Sequence, residues 1–197
     1  MSEYILLGGG GYALSLLDVI NEKSKKILGF HAVSIKTATG LAFIEDLASL
    51  IDLNPAIQLI NAIGISSGTL KRAEVFESFR AKNQRFSSVI STQSYVSAGA
   101  IVGSGVHIFH GAVIERGAIL EANTIVGTNS SVHHESRLGK HAFIGPGARI
   151  LGNCIIGQNS IIGSNAVIAP GITVGNDCKI AAGSFLRTNL PDGGKNY

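Results

Sequence analysis

The 197-residue chain has no tryptophan, one methionine and two cysteines, and only 15% of its residues are charged. Each scarcity excludes something. Two cysteines, Cys154 and Cys178, are too few for the disulfide framework of a small secreted domain. So little charge beside 45% hydrophobic residues excludes a disordered chain, which needs the reverse. No apolar run approaches the roughly 18 to 20 residues of a membrane span. The opening MSEYILLGGGGY lacks the basic start and small-residue cleavage site of a signal peptide. A soluble, cytoplasmic protein of one or two domains is expected. The formal charge of +3 is spread as nine basic against eight acidic residues over 1–88 and six against four over 89–190. That leaves no basic stripe, so nucleic acid is not an expected partner.

Glycine, by contrast, is abundant: 25 residues, where average usage of about 7% would give roughly 14. The cause is a repeat. From Val89 the sequence divides into seventeen hexads without an insertion, from VISTQS to FLRTNL. The second place of every hexad is Ile, Val or Leu, and the sixth is nearly always Ser, Ala, Thr or Cys. A period of six fits neither an α-helix nor an alternating strand. It fits a parallel β-helix in which three hexads close one coil, so that residues 18 apart stack at the roughly 4.8 Å strand spacing. Val132 should then lie between Ile114 and Ile150 in an interior ladder. Cys154 and Cys178 fall on the small sixth place and read as reduced core fillers. Fifteen of the glycines lie in the repeat, mostly at the third or fifth place, where the chain turns a corner and sometimes needs a positive φ.

Residues 1–88 alternate strand and helix: strands at 4–7, 26–30, 57–64 and 85–90, helices at 12–21, 45–51 and 69–82. This order predicts a small parallel sheet with a ligand at its carboxyl edge. Gly8, Gly10 and Ala13 satisfy G-x-G-x-x-[G/A], but the ribose-holding acid expected about 20 positions on is missing. A dinucleotide is therefore not expected. The loop Gly9-Gly10-Gly11-Tyr12 remains either a cradle for phosphate or sugar, through backbone N–H groups at a helix N-terminus, or simply a tight turn.

Five of the six histidines lie in the repeat. His107, His110 and His141 read as surface residues. His133-His134-Glu135 places two imidazoles and a carboxylate at one corner, projecting outward. Zinc needs three protein ligands and an open position; the spacing of a gamma carbonic anhydrase, one His two coils before a pair five apart, is absent, so no metal is expected. General-base catalysis fits better, because an imidazole can take a proton near neutral pH while a carboxylate orients it.

At these residues the chain resembles the hexapeptide-repeat acyltransferases, and within them the sugar O- and N-acetyltransferases that include the bacillosamine N-acetyltransferases and sialic acid O-acetyltransferases. The resemblance covers nearly the whole chain. Gly127-Thr128-Asn129-Ser130-Ser131-Val132-His133-His134-Glu135 follows the family's N-T-G-A-V-V-x-H-[DE], with Gly127 in place of Asn. It implies a left-handed β-helix, a homotrimer with active sites between subunits, and acetyl-CoA as co-substrate between the columns. It makes His134 the catalytic base with Glu135 as its partner, and the Gly152 amide a donor to the thioester carbonyl. Coenzyme would run past Phe143, which stands where the family has His, and past Ser164, Ala181 and Ala182. The acceptor, a sugar or nucleotide sugar, would meet Gly9, Gly10, Gly11, Tyr12 and Gly64. The acids that end the family's second strand are Ala32 and Val33 here.

The expected molecule is thus an α/β, Rossmann-like acceptor domain (1–88), a left-handed β-helix (89–190) and a short tail (191–197). Its expected reaction is acetyl transfer from acetyl-CoA to an amino or hydroxyl group of a surface-glycan sugar. A non-catalytic trimeric scaffold or ligand-binding protein is the alternative from another class.

Overall fold

The structure, a computed structural model, describes residues 3–22, 26–32, 40–65 and 69–196. Two compact units divide at Val89/Ile90.

In the first unit, three parallel strands, β1 (Glu3–Leu7), β2 (Lys26–His31) and β3 (Gln58–Asn61), lie in the order β2-β1-β3. The central strand is an unbroken apolar run: Ile5, Leu6 and Leu7 are all buried, as expected of a strand covered on both faces. Helix α1 (Gly11–Asn21) buries Ala13, Leu16, Val19 and Ile20, a single stripe at helical spacing. Helix α2 (Leu47–Leu53) starts two residues later than expected because Asp46 is its N-cap, accepting from the Ser49 amide at 3.0 Å. Helix α3 is Leu70–Arg80.

β3 is shorter than the expected 57–64, and the cause is Arg72. This fully buried side chain on α3 donates from Nη1 to the carbonyls of Asn61 and Ile63, while the Asn61 amide donates back to the Arg72 carbonyl at 3.0 Å. The carbonyls that would have extended the strand are thereby taken. The expected strand at 85–90 reduces to a single parallel bridge, Leu59 to Phe86, before Val89–Ile90 opens the solenoid. A bridge from Phe30 to Phe43 on the far side of β2 was not foreseen. It requires Gly29, since a Cβ there would meet the Ala42 carbonyl oxygen at 2.5 Å.

The second unit is a parallel β-solenoid of about six turns. Two-residue strands form sheets of seven, six and five strands: the first holds Ile125–Val126 and Phe143–Ile144, the second Ser131–Val132 and Arg149–Ile150, the third Arg137–Leu138 and Ile155–Ile156. Val132 pairs with Ile114 on one side and Ile150 on the other, as the 18-residue register requires. From Ile108 to Leu186 every second-place aliphatic is buried. The sixth place is small for a further reason than space. The Ser136 hydroxyl donates to the Leu151 carbonyl at 2.8 Å and accepts from the Cys154 amide at 3.1 Å; Ser160 does the same with Gly175 and Cys178. Cys154 and Cys178 are free thiols, and burial raises the pKa of Cys154.

The structure assigns the corner glycines to two separate causes. All fourteen fifth places from Gly105 to Gly183 have positive φ, and twelve of them are Gly, Asn or Asp, the residues that adopt the left-handed region at least cost. Third-place glycines instead answer to close approach: at Gly139 a Cβ would lie 2.7 Å from the Gln158 nitrogen of the next coil. The stretch expected to be a tail continues the coil, with Lys195–Asn196 adding a strand beside Lys179–Ile180.

Candidate active site

The corner after the second sheet differs from the other two. Its third places read Ser97, Glu115, His133, Leu151, Ala169 and Arg187, with no glycine. The other two corners have Gly127, Gly145 and Gly163, or Gly103, Gly139, Gly157 and Gly175, at the same place. This is where the coil has room for functional side chains.

At the fourth place of this corner His134 and Gly152, 18 residues apart, stack on successive coils. A Cβ on Gly152 would lie 2.5 Å from both Cε1 and Nε2 of His134, so the imidazole lies directly over the glycine. The ring makes no hydrogen bond to another described residue, and neither does the Gly152 N–H. An exposed imidazole over a glycine whose N–H donates to no described residue is an arrangement that could move a proton next to a developing oxyanion.

Glu135 follows in the left-handed region at φ 58. With His141 (φ 62) it is one of two residues outside Gly, Asn and Asp among the fourteen fifth places with positive φ. Its side chain lies along Gly117 on the previous coil, where a Cβ would approach Glu135 Cγ to 3.1 Å. No hydrogen bond joins Glu135 to the His134 ring. The carboxylate that does touch this segment is Glu115: Oε2 accepts from the His134 backbone N–H at 2.9 Å, and Oε1 lies 3.6 Å from His133 Nδ1. His133 Nε2 is 3.2 Å from Ser131 Oγ. Glu115 was not singled out from the sequence, although two signals were there. It lies one coil before the His-His-Glu run, in a corner without third-place glycine.

His107 and His141, read as surface residues, are instead buried, His141 with Nδ1 2.9 Å from the Asn123 amide. Gly127, where the resembling family has Asn, is fixed by packing, since a Cβ would sit 2.7 Å from the Pro146 nitrogen.

The residues expected to hold coenzyme do not converge within one chain. Gly152 belongs to the corner after the second sheet; Ser164 and Ala182 stack 18 apart at the corner after the first, with Ala181 beside them. Phe143 lies half-buried on the first sheet, between Ile125 and Ile161 in an apolar ladder. The second sheet separates the two groups, and it exposes Tyr95 (61%) and Phe185 (55%). Among the described residues, no three His, Cys, Asp or Glu side chains gather as metal ligands.

In the first unit the glycine loop divides in the same way as the corners. Gly8 has φ 113; Gly9 is pressed on the Phe30 ring and Gly64 on Tyr12, whose Cβ atoms would approach to 2.7 and 2.9 Å. Gly10 and Gly11 have open space around a would-be Cβ and negative or unremarkable φ, so packing against the described residues does not explain them. The buried Arg72 guanidinium lies 5.8 Å from the Tyr12 ring; burial lowers its pKa to about 10, still cationic at neutral pH. Ala32 follows the end of β2 where an acid would stand, and Val33 lies outside the described residues. A cavity of about 460 Å³ between Asp46, Ile51, Phe79 and Lys82 includes none of the loop residues.

Residues 135–170 and 153–188 match the bacterial transferase hexapeptide family (six repeats). No curated protein sequence matches the chain. Among solved structures, PerB from Caulobacter crescentus in complex with CoA and GDP-perosamine is 24% identical, over 98% of this chain and 91% of that one, with a TM-score of 0.87. The acetyltransferase domain of PglB from Neisseria gonorrhoeae, in complex with acetyl coenzyme A, is 26% identical over 98% and 94%, with a TM-score of 0.88. WeeI from Acinetobacter baumannii is 16% identical over 99% and 96%, with a TM-score of 0.68. Over 135–188 the repeat matches that family's model, and over nearly its whole length the chain is similar in fold to these acetyltransferase structures.

Proposed function

We propose that the protein transfers an acetyl group from acetyl-CoA to an amino or hydroxyl group of a nucleotide-linked or sialic-type sugar, with His134 as general base. The observation that carries this reading is the His134 imidazole lying over Gly152, 2.5 Å from where a Cβ would be. The acceptor nitrogen or oxygen attacks the thioester carbonyl while His134 takes its proton. The Gly152 N–H donates to the tetrahedral oxyanion, where charge develops. The C–S bond then breaks, and the imidazolium returns the proton to the departing thiolate. Glu135, next in the chain, orients the ring on rotation of its side chain. CoA in the PerB and PglB structures supports the donor, and GDP-perosamine in PerB supports a nucleotide sugar as acceptor. Gly10 and Gly11, open toward solvent, would admit its phosphates close to the backbone.

The separation of Gly152 from Ser164 and Ala182 supports a homotrimer in which each site draws one corner from each of two neighbours. The exposed Tyr95 and Phe185 suit burial between columns. No described helix is long and apolar enough to cross a membrane, and the reading places the reaction in the cytoplasm.

Free-thiol release from acetyl-CoA with a panel of amino and hydroxy sugars, free and nucleotide-linked, tests the reaction. A protein that binds CoA but acetylates none of them would be the ligand-binding alternative. Mixing two inactive variants, His134→Ala and Ala182→Trp, tests the shared site. In a co-refolded 1:1 mixture about a quarter of all sites, one in each heterotrimer, should regain activity, and no recovery would place each site within one chain.

A further inference from the structure

At the corners the fourth-place amides of Arg116, Gly152 and Ser164 donate to no backbone carbonyl of a described residue. Those of Gln158 and Asn176 are taken by side chains of the following coil, Asn176 Oδ1 and Asp192 Oδ1, whereas the His134 amide is held from the preceding coil, at 2.9 Å, by Glu115 Oε2. The same carboxylate faces His133 Nδ1 at 3.6 Å, and His133 reaches Ser131 Oγ at 3.2 Å. One acid on the previous coil therefore gathers the main chain of His134 and the side chain before it. The next residue gains little from its own backbone: Glu135 takes a left-handed conformation, and its amide reaches the Arg116 carbonyl only at 3.3 Å. Between Val132 and Ser136, whose carbonyls accept from Glu115 and Ile119 of the previous coil at 2.9 Å, that long bond would be the one remaining hydrogen bond to that coil without the Glu115 side chain.

We propose that Glu115 is a positioning residue for the transfer reaction. It fixes the backbone at His134 from the coil on one side, as Gly152 makes room for the ring on the other, and so sets the imidazole over the Gly152 N–H. The inference rests on the reading of His134 as the base. The contact that matters is the acceptor oxygen at the reach of a glutamate side chain, not the negative charge as such.

Three variants test it on the full-length protein. Glu115→Ala should lower kcat about 10- to 100-fold, the scale of a small misplacement at a reacting centre, with KM for acetyl-CoA and Tm little changed. Glu115→Gln keeps an acceptor oxygen at the same reach and should retain most of kcat. Glu115→Asp keeps the charge but falls one methylene short, and should behave like Glu115→Ala. The reverse order, with Asp active and Gln impaired, would overturn the main-chain anchor in favour of a charge effect. Full kcat in Glu115→Ala would overturn the proposal outright. The double variant with His134→Ala separates the two readings. If His134→Ala alone keeps full kcat, the base assignment fails. If it is inactive, adding Glu115→Ala should cost nothing further, and an additional loss would show that Glu115 acts elsewhere. Should Glu115→Ala not fold, the Gln and Asp pair still decides.

Discussion

The three corners of the solenoid obey the same fifth-place rule and differ at the third place. Two corners carry glycine there because successive coils approach within contact: at Gly145, as at Gly139, a Cβ would lie 2.7 Å from a backbone nitrogen of the next coil. The corner after the second sheet carries Glu115, His133 and Leu151 instead, and it is the corner with His134 over Gly152. Its one tight glycine answers to an imidazole, not to backbone. The difference teaches how a repeat protein makes room for chemistry. The scaffold fixes interior and turn at every coil, and one edge of the prism is released from close packing so that side chains can be varied there.

Substitutions can break that contrast. The largest effect is expected from His134→Ala, which should cut kcat by about 10²- to 10⁴-fold, the usual worth of a general base. Its Tm should stay near that of the native protein, because the ring is exposed and bonds no described residue. Full activity in this variant would remove the site. Gly152→Ala comes next. Its Cβ would meet His134 at 2.5 Å, and the ring, as the free end of a side chain, would swing aside at little cost in stability. We expect about 10²-fold lower kcat with acetyl-CoA affinity changed far less, read from kcat and KM separately. Gly139→Ala probes the opposite corner, where the obstacle is the Gln158 backbone and cannot swing. It should destabilise by about 1–3 kcal/mol, in the range of overpacked cores, and leave kcat at permissive temperature unchanged. If Gly139→Ala and Gly152→Ala gave the same pattern, the two kinds of corner would not be distinct.

Most of the solenoid is legible in the sequence because its register is set by a residue type repeated at one place. Val132 between Ile114 and Ile150 follows from number alone, as does Gly152 one coil from His134. The N-terminal unit is less legible where tertiary contacts override local pattern. The end of β3 is decided by Arg72, eleven residues beyond Asn61, and the Phe30–Phe43 bridge by a glycine that admits the Ala42 carbonyl. In the candidate site the stacking of His134 on Gly152 is readable, whereas the Glu115 contact is not, because it is a side chain reaching a backbone amide on another coil. His141 misleads for the opposite reason. It sits at a turn place that is usually solvent-facing, yet here it is buried against Asn123.

The smallest effect separates the turn rule from the chemistry at one residue. Twelve of fourteen fifth places are Gly, Asn or Asp, and Glu135 at φ 58 is not. A longer side chain in the left-handed region costs on the order of 1 kcal/mol, so Glu135→Asn should stabilise the protein, raising Tm by about 2–4 °C for a chain of this size. The same change shortens the carboxylate to an amide beside the base. If Glu135 orients the His134 ring, kcat falls while Tm rises, the opposition expected where a site is kept strained for use. If kcat holds as Tm rises, Glu135 is a turn residue that happens to be charged, and Glu115 is left as the sole carboxylate acting on His134. Glu135→Asp sharpens the choice, since it keeps the acid and also eases the backbone. It should recover kcat relative to Glu135→Asn only in the first case.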